Sequence, residues 1–171
     1  MKKLTHQELV DRQKKHNTND LLPFCIVLNN IRSLHNVGSI FRTADGAGIE
    51  KIWLCGITGY PPNPQLAKTA LGAEEHVVWE YKRSAKAIIG QLKSQGYHIV
   101  FIEQMQGGIN YRNFQPQGPV CLVLGNEVEG VQEDIVPLCD QAIEIEMVGI
   151  KNSLNVAVAF SIIAYHLRGV V

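Results

Sequence analysis

Six short apolar runs, each rich in β-branched or aromatic residues, recur along this chain with helix-like segments between them. No other feature constrains the fold as much. The runs are FCIVLNN (24–30), KIWLCGI (51–57), VVWEY (77–81), YHIVFIE (97–103), VCLVLG (120–125) and QAIEIEM (141–147). Strands with apolar residues on both faces need both faces covered, and strand–helix alternation supplies the covers. The expected fold class is therefore α/β, a mostly parallel sheet with helices on both faces. At 171 residues, 46% of them hydrophobic and 19% charged, one core is expected.

The helical segments carry recognisable ends. Asn36 is expected to cap a helix with the apolar stripe Val37, Ile40, Phe41, Ala44 and Ala47, closed by Gly46 or Gly48. Pro64 opens a short helix through Leu71, stopped by Gly72, and Ser84 caps AKAIIGQLKSQ, ended by Gly96. A short turn around IVPLC starts near Asp134, and Ser153 is expected to cap the last helix, LNVAVAFSIIAYHLR. That helix is apolar around most of its circumference, so burial on more than one side is expected, either against a second subunit, the favoured reading, or as a central helix within a monomer. Residues 1–20 are polar and basic and read as a surface helix or arm ahead of one domain over 21–171. GGINYRNFQPQGP (107–119) reads as a plain loop.

Formal net charge is zero, from 16 basic and 16 acidic residues, so the broad basic footprint of many nucleic-acid binders is missing. An RNA site would have to be a local patch. The candidates are Lys2, Lys3, Arg12, Lys14 and Lys15, then Arg32 with Arg42, then Lys82, Arg83 and Lys86. No run approaches the roughly 20 apolar residues of a membrane span, and MKKLTHQELVDRQ has no apolar stretch after its lysines; a cytoplasmic protein is expected. Cys25, Cys55, Cys121 and Cys139 form no C-x-x-C pair and the six histidines no ligand pattern, so reduced thiols and no metal are expected.

Three polar, glycine-containing loops follow strands, at the ends where open α/β sheets hold ligands. The first runs from Asn29 into NVGSIFR, where Asn36, Ser39 and Arg42, three residues apart, share one side of the helix. The second is LVLGNEVEGV (122–131), where Gly125 and Gly130 allow close backbone approach or positive φ, and Glu127 and Glu129 are candidate acid or base groups. The third is IEMVGIKNSLNV (145–156), where Ser153 and Asn155 stand at a helix start, and where the Asn155 amide, if buried, needs partners. Neither a P-loop nor G-x-G-x-x-G is present.

Together, N36-V-G-S-I-F-R-T-A-D-G-A-G, L122-V-L-G-N-E-V-E-G and I145-E-M-V-G-I-K-N-S-L-N-V resemble, in order and spacing, the three motifs of the SpoU, or TrmH-like, RNA 2′-O-ribose methyltransferases of the SPOUT superfamily. The resemblance covers roughly residues 23 to 168. It implies a Rossmann-like sheet with a C-terminal deep trefoil knot, an arrangement that general topology rules would reject. It further implies S-adenosyl-L-methionine as methyl donor, RNA as acceptor, and a homodimer through the knot and C-terminal helix.

Carried over by position, the resemblance puts the cofactor on Leu124, Gly125, Asn126, Gly130, Ile145, Met147, Ser153 and Leu154. The catalytic group would be Arg42 with Asn36, Glu127, Ser153 and Asn155. Whether Arg42 acts as a base or as a cation stays open at this point. Glu146 stands where the family usually has proline. With only a basic arm ahead of the domain, tRNA is the expected acceptor; the alternatives are ribosomal RNA and a non-catalytic RNA-binding module of the same fold.

Overall fold

The computed structural model describes residues 1–13 and 23–169. Lys14 and Lys15 of the basic arm lie outside the described residues. Ahead of the domain stands a short exposed helix, α1 (His6–Gln13).

The domain is one seven-stranded sheet in the order β3-β2-β1-β6-β4-β7-β5, and all its strand pairs are parallel. The strands are β1 (Phe24–Asn29), β2 (Lys51–Cys55), β3 (Trp79–Lys82), β4 (His98–Ile102), β5 (Ile109–Asn110), β6 (Val120–Leu124) and β7 (Gln141–Glu144). Alternate residues of β1 and β6 enter two separate cores, which is why these strands read as unbroken apolar runs. Phe24, Ile26, Leu28, Leu122 and Leu124 face the helices α2 (Leu34–Gly46), α3 (Pro64–Ala70) and α5 (Val156–Gly169). Cys25, Val27, Cys121 and Val123 face α4 (Ala85–Ser94).

The four cysteines are free thiols. Burial pushes the pKa of Cys55 up to about 12 and that of Cys139 to about 11, so neither supplies a thiolate nucleophile at neutral pH.

Two expected helix caps are corrected. Ser33, not Asn36, is the N-cap of α2: its backbone is extended and its side chain accepts from the Asn36 N–H at 3.3 Å. Asn36 is thereby moved into the first turn, with its amide free for tertiary contacts. Asn155, not Ser153, caps α5, its Oδ1 accepting from the N–H groups of Ala157 at 3.0 Å and Val158 at 3.3 Å. Asn155 is an exposed cap and not a buried amide within the helix. Leu71 is not helical but the left-handed cap of α3, at φ 54°.

The segment 107–119, expected as a plain loop, holds the edge strand β5 and a 3-10 turn, and it buries Phe114. β5 is two residues long and pairs only with β7, too short for any periodic signal in the sequence.

Helix α5 runs alongside α2 in the same direction. Asn155 meets Asn36, the Ser161 and Thr43 hydroxyls are 2.8 Å apart, and Arg168 donates to the carbonyls of Ala47 (2.6 Å) and Gly48. On its other flank α2 packs so tightly on α3 that a Cβ at Gly38 would stand 2.3 Å from the Leu66 carbonyl oxygen and 2.2 Å from Thr69 Oγ1. Gly38→Ala is therefore expected to cost about 1–3 kcal/mol through overpacking, read as a lower denaturant midpoint at unchanged slope.

Candidate active site

The chain winds from β1 outward through β2 to β3, then returns to the other side of β1, so the sheet reverses direction between β1 and β6. A crevice at the carboxyl ends of the strands is expected at such a reversal. The observed cleft, of about 550 Å³, lies just beside that reversal: the loops after β6 and β7 and the end of β4 line it. That volume lies within the roughly 300–1,000 Å³ of small-molecule sites.

The β6 loop is closed by its own backbone. Asn126 and Gly130 exchange N–H···O bonds of 2.9 Å, and a Cβ at Gly125 would stand 2.3 Å from the Gly130 carbonyl. Gly125 is thus required where the loop crosses itself, while Gly130, at φ 70°, makes the turn. Asn126 stitches the loop further: its Oδ1 accepts from the N–H groups of Val128 and Glu129, and its Nδ2 donates to the Asn30 carbonyl at 2.8 Å.

All eight residues expected to contact the cofactor line this cleft, as do Glu127, Ser153 and Asn155. Ile145 and Met147 face into it, while Glu146 between them is exposed and outside the lining, so its replacement of the usual proline puts no charge into the cleft. Asn36 and Arg42 are not lining residues. Asn36 is tied to the cleft wall, whereas Arg42 stands exposed on α2.

One chain of hydrogen bonds joins all three loops. Glu127 accepts from the N–H groups of Arg32 (3.0 Å) and Ser33 (3.1 Å) and from Asn36 Nδ2 (3.0 Å). Asn36 Oδ1 accepts from Asn155 Nδ2 at 3.0 Å, and Asn155 caps α5. Burial opposes the charge on Glu127, but the hydrogen bonds from Arg32, Asn36 and Ser33 outweigh it and hold its pKa below the usual carboxylate value. A carboxylate so engaged orients its neighbours; the acid or base role considered for Glu127 does not suit it.

Glu103, Glu127, Glu129 and Glu144 line the cleft, and no lysine or arginine does. A cleft of that sign favours a cationic ligand. Glu103, at the end of β4, was missed from sequence, although a carboxylate ending an apolar strand of a parallel sheet is a usable signal. Among the described residues no three His, Cys, Asp or Glu side chains gather as a metal site would, and no described helix is long and apolar enough to cross a membrane.

The lowered pKa of Glu127 sets a pH dependence. A depressed carboxylate stabilises the fold above its unfolded pKa of about 4.3, and that contribution is lost as pH falls through the folded value. Glu127→Gln is expected to lower the denaturant midpoint at pH 7, with the gap to wild type closing below pH about 4. A gap that stays constant from neutral to acid pH would show that the charge contributes nothing.

The model of the SpoU rRNA methylase family matches residues 23–165. A Staphylococcus haemolyticus protein named for the TrmH family of tRNA/rRNA methyltransferases is 32% identical over 142 residues, 83% of this chain and 57% of that protein. The chain thus spans less than two thirds of that relative's length. The A. aeolicus TrmH/SpoU tRNA modifying enzyme superposes with a TM-score of 0.80 at 28% identity, over 88% of this chain and 76% of that one. An AdoMet-bound rRNA methyltransferase from Sinorhizobium meliloti gives a TM-score of 0.80 at 23% identity, over 96% of this chain and 70% of that one, a likeness of fold. With the family's model matched across the whole sheet and all three loops, this chain belongs to the SpoU rRNA methylase family.

Proposed function

We propose that this protein transfers the methyl group of S-adenosyl-L-methionine to a ribose 2′-hydroxyl of RNA, with tRNA as the acceptor. The observation that carries the reading is the hydrogen-bonded chain Glu127–Asn36–Asn155, which fixes the arginine-bearing helix against an acidic, ligand-sized cleft. The A. aeolicus neighbour at 28% identity is named as a tRNA modifying enzyme, which supports tRNA as the first acceptor to test, with ribosomal RNA, named alongside tRNA for the S. haemolyticus relative, as the second.

When bound, S-adenosyl-L-methionine supplies a methyl group already activated by a sulfonium. Leu124, Ile145, Met147 and Leu154 offer apolar contact, and the main chain of Gly125 and the second lone pairs of the Asn126 and Gly130 carbonyls offer polar contact. The carboxylates of Glu103, Glu129 and Glu144 complement the positive charge of the donor. The rest of the task is alignment, which rigid loops perform by holding reacting groups in line.

Arg42 acts as a cation in this reading. A guanidinium is a planar fork of donors suited to a phosphate, and beside the acceptor ribose it also stabilises negative charge growing on the 2′-oxygen. The hydroxyl proton leaves to solvent, so the products are the 2′-methoxy ribose, the neutral thioether and one proton.

The quaternary arrangement follows the same reading. Val158 and Tyr165, at 48% and 57% exposure and seven residues apart, share one exposed side of α5, and a second copy of the chain is proposed to cover them. The knot is proposed too: β7 enters between β4 and β5, which precede it in the chain, and Gln104 of their connection donates to the Asn152 carbonyl at 2.9 Å. Both features support a C-terminal segment threaded through that connection.

Incubation with methyl-labelled S-adenosyl-L-methionine and unfractionated tRNA, followed by nuclease digestion and mass spectrometry, should release 2′-O-methyl nucleosides. Label on a base, or on no RNA, would sink the proposal. Arg42→Ala should bind S-adenosyl-L-methionine as wild type does yet lose at least about a hundredfold in turnover. Arg42→Lys with nearly full turnover would remove any special part for the guanidinium. Val158→Arg should convert a dimer into a folded monomer in sedimentation; an unchanged mass would place the contact elsewhere.

A further inference from the structure

The loop after β2, residues 56–63, takes no part in the cleft, yet it is tied down as firmly as the loops that do. Thr58, 2% exposed, accepts from the Ile31 N–H and donates to the Leu28 carbonyl, both at 3.0 Å. The Ile57 N–H donates to Asn30 Oδ1 at 3.0 Å, and the Tyr81 hydroxyl donates to the Gly56 carbonyl at 2.9 Å. Asn30 itself sits in the left-handed region at φ 60°, and its Nδ2 donates to Gln132 at 3.0 Å.

This anchoring holds apolar groups out in water. Ile57 is 68% exposed and Tyr60 47%. The Tyr60 ring rests on Tyr81, centroids 4.7 Å apart, and on Trp79 at 6.3 Å, so it is supported from one side and open on the other. A large apolar pair on a rigid loop costs solvation unless something covers it.

Its surroundings say what. Gly59 packs on Leu34, where a Cβ would stand 2.3 Å from Cδ2, so the loop abuts the start of α2. Two residues earlier, the backbone of Arg32 is bound to Glu127 on the cleft wall while its side chain is exposed. Residues 30–36 and 56–65 contain no carboxylate, and their basic side chains are Arg32 and His35, both exposed. Beside the cleft, whose Glu127 is bound to its backbone, this rim presents the exposed Arg32 side chain together with the Tyr60 ring.

We propose that the rim formed by Tyr60, Ile57 and Arg32 is a stacking platform for an unpaired nucleobase close to the methylated nucleotide, with Arg32 on the intervening phosphate. The inference rests on the RNA methyl-transfer reading above and adds to it a site for a neighbouring base. Unpaired bases are recognised in this way, by an aromatic face for the ring and a cation for the backbone. The platform and the cleft share the carboxyl-end rim of the sheet, so one single-stranded segment can reach both.

The test uses the full chain, fluorescein-labelled unfractionated tRNA for binding, and methyl transfer to the same RNA. Tyr60→Ala and Ile57→Ser should each weaken tRNA binding and raise KM by about tenfold. Neither should change kcat or S-adenosyl-L-methionine affinity. Tyr60→Phe should restore binding, and a short unpaired RNA should compete where a blunt duplex does not.

Ile57→Ser keeps the question decidable if Tyr60→Ala fails to fold, because the Ile57 side chain stands largely in solvent. Wild-type tRNA affinity and KM in folded Ile57→Ser and Tyr60→Ala would overturn the platform while leaving the transferase reading intact. A fall in oligomer mass with unchanged tRNA affinity would put a second copy of the chain on this rim and overturn it as well. A wild-type protein that binds S-adenosyl-L-methionine but no RNA would overturn both.

Discussion

The working end of this molecule depends on how one carboxylate is held. Glu127 takes two backbone N–H groups and one side-chain amide from the segment after β1. The same Asn36 that donates to it receives the cap of α5. Three loops far apart in sequence are therefore positioned by a single run of polar contacts. Charge on Glu127 strengthens its bonds, and the bonds in turn stabilise the charge.

The architecture was legible because it is written in long-wavelength features. Unbroken apolar runs such as VCLVLG announce a strand with two covered faces, and those of β1 and β6 divide residue by residue between two cores. The helix caps were less legible, and for one reason in both cases. Ser33 and Asn36, like Ser153 and Asn155, are all competent caps, and which of each pair takes the role depends on tertiary partners that spacing does not encode. Asn36 is occupied by Glu127 and Asn155, so Ser33 caps.

The residues expected at the cleft came from three motifs, and the cleft also holds residues that no motif contains. Glu103 and Gln104 come from the end of β4, and the anchoring of the neighbouring rim comes from Asn30, Thr58 and Gln132. Asn30 looked like one more polar residue at a strand end; only its left-handed backbone and its partners in two other loops reveal a joint. The zero net charge also concealed a division, since carboxylates line the cleft while the rim beside it carries none.

The self-crossing of the β6 loop has a consequence for how such a site can change over evolutionary time. Position 125 is closed to any side chain by the loop's own backbone, and much of the surface it offers a ligand is main chain. Selection acting on that contact through side-chain replacement would first have to undo the loop. If the cleft holds the methyl donor as proposed, its recognition is locked to folding, while the proposed acceptor side, built from exposed side chains on separate segments, is free to diverge.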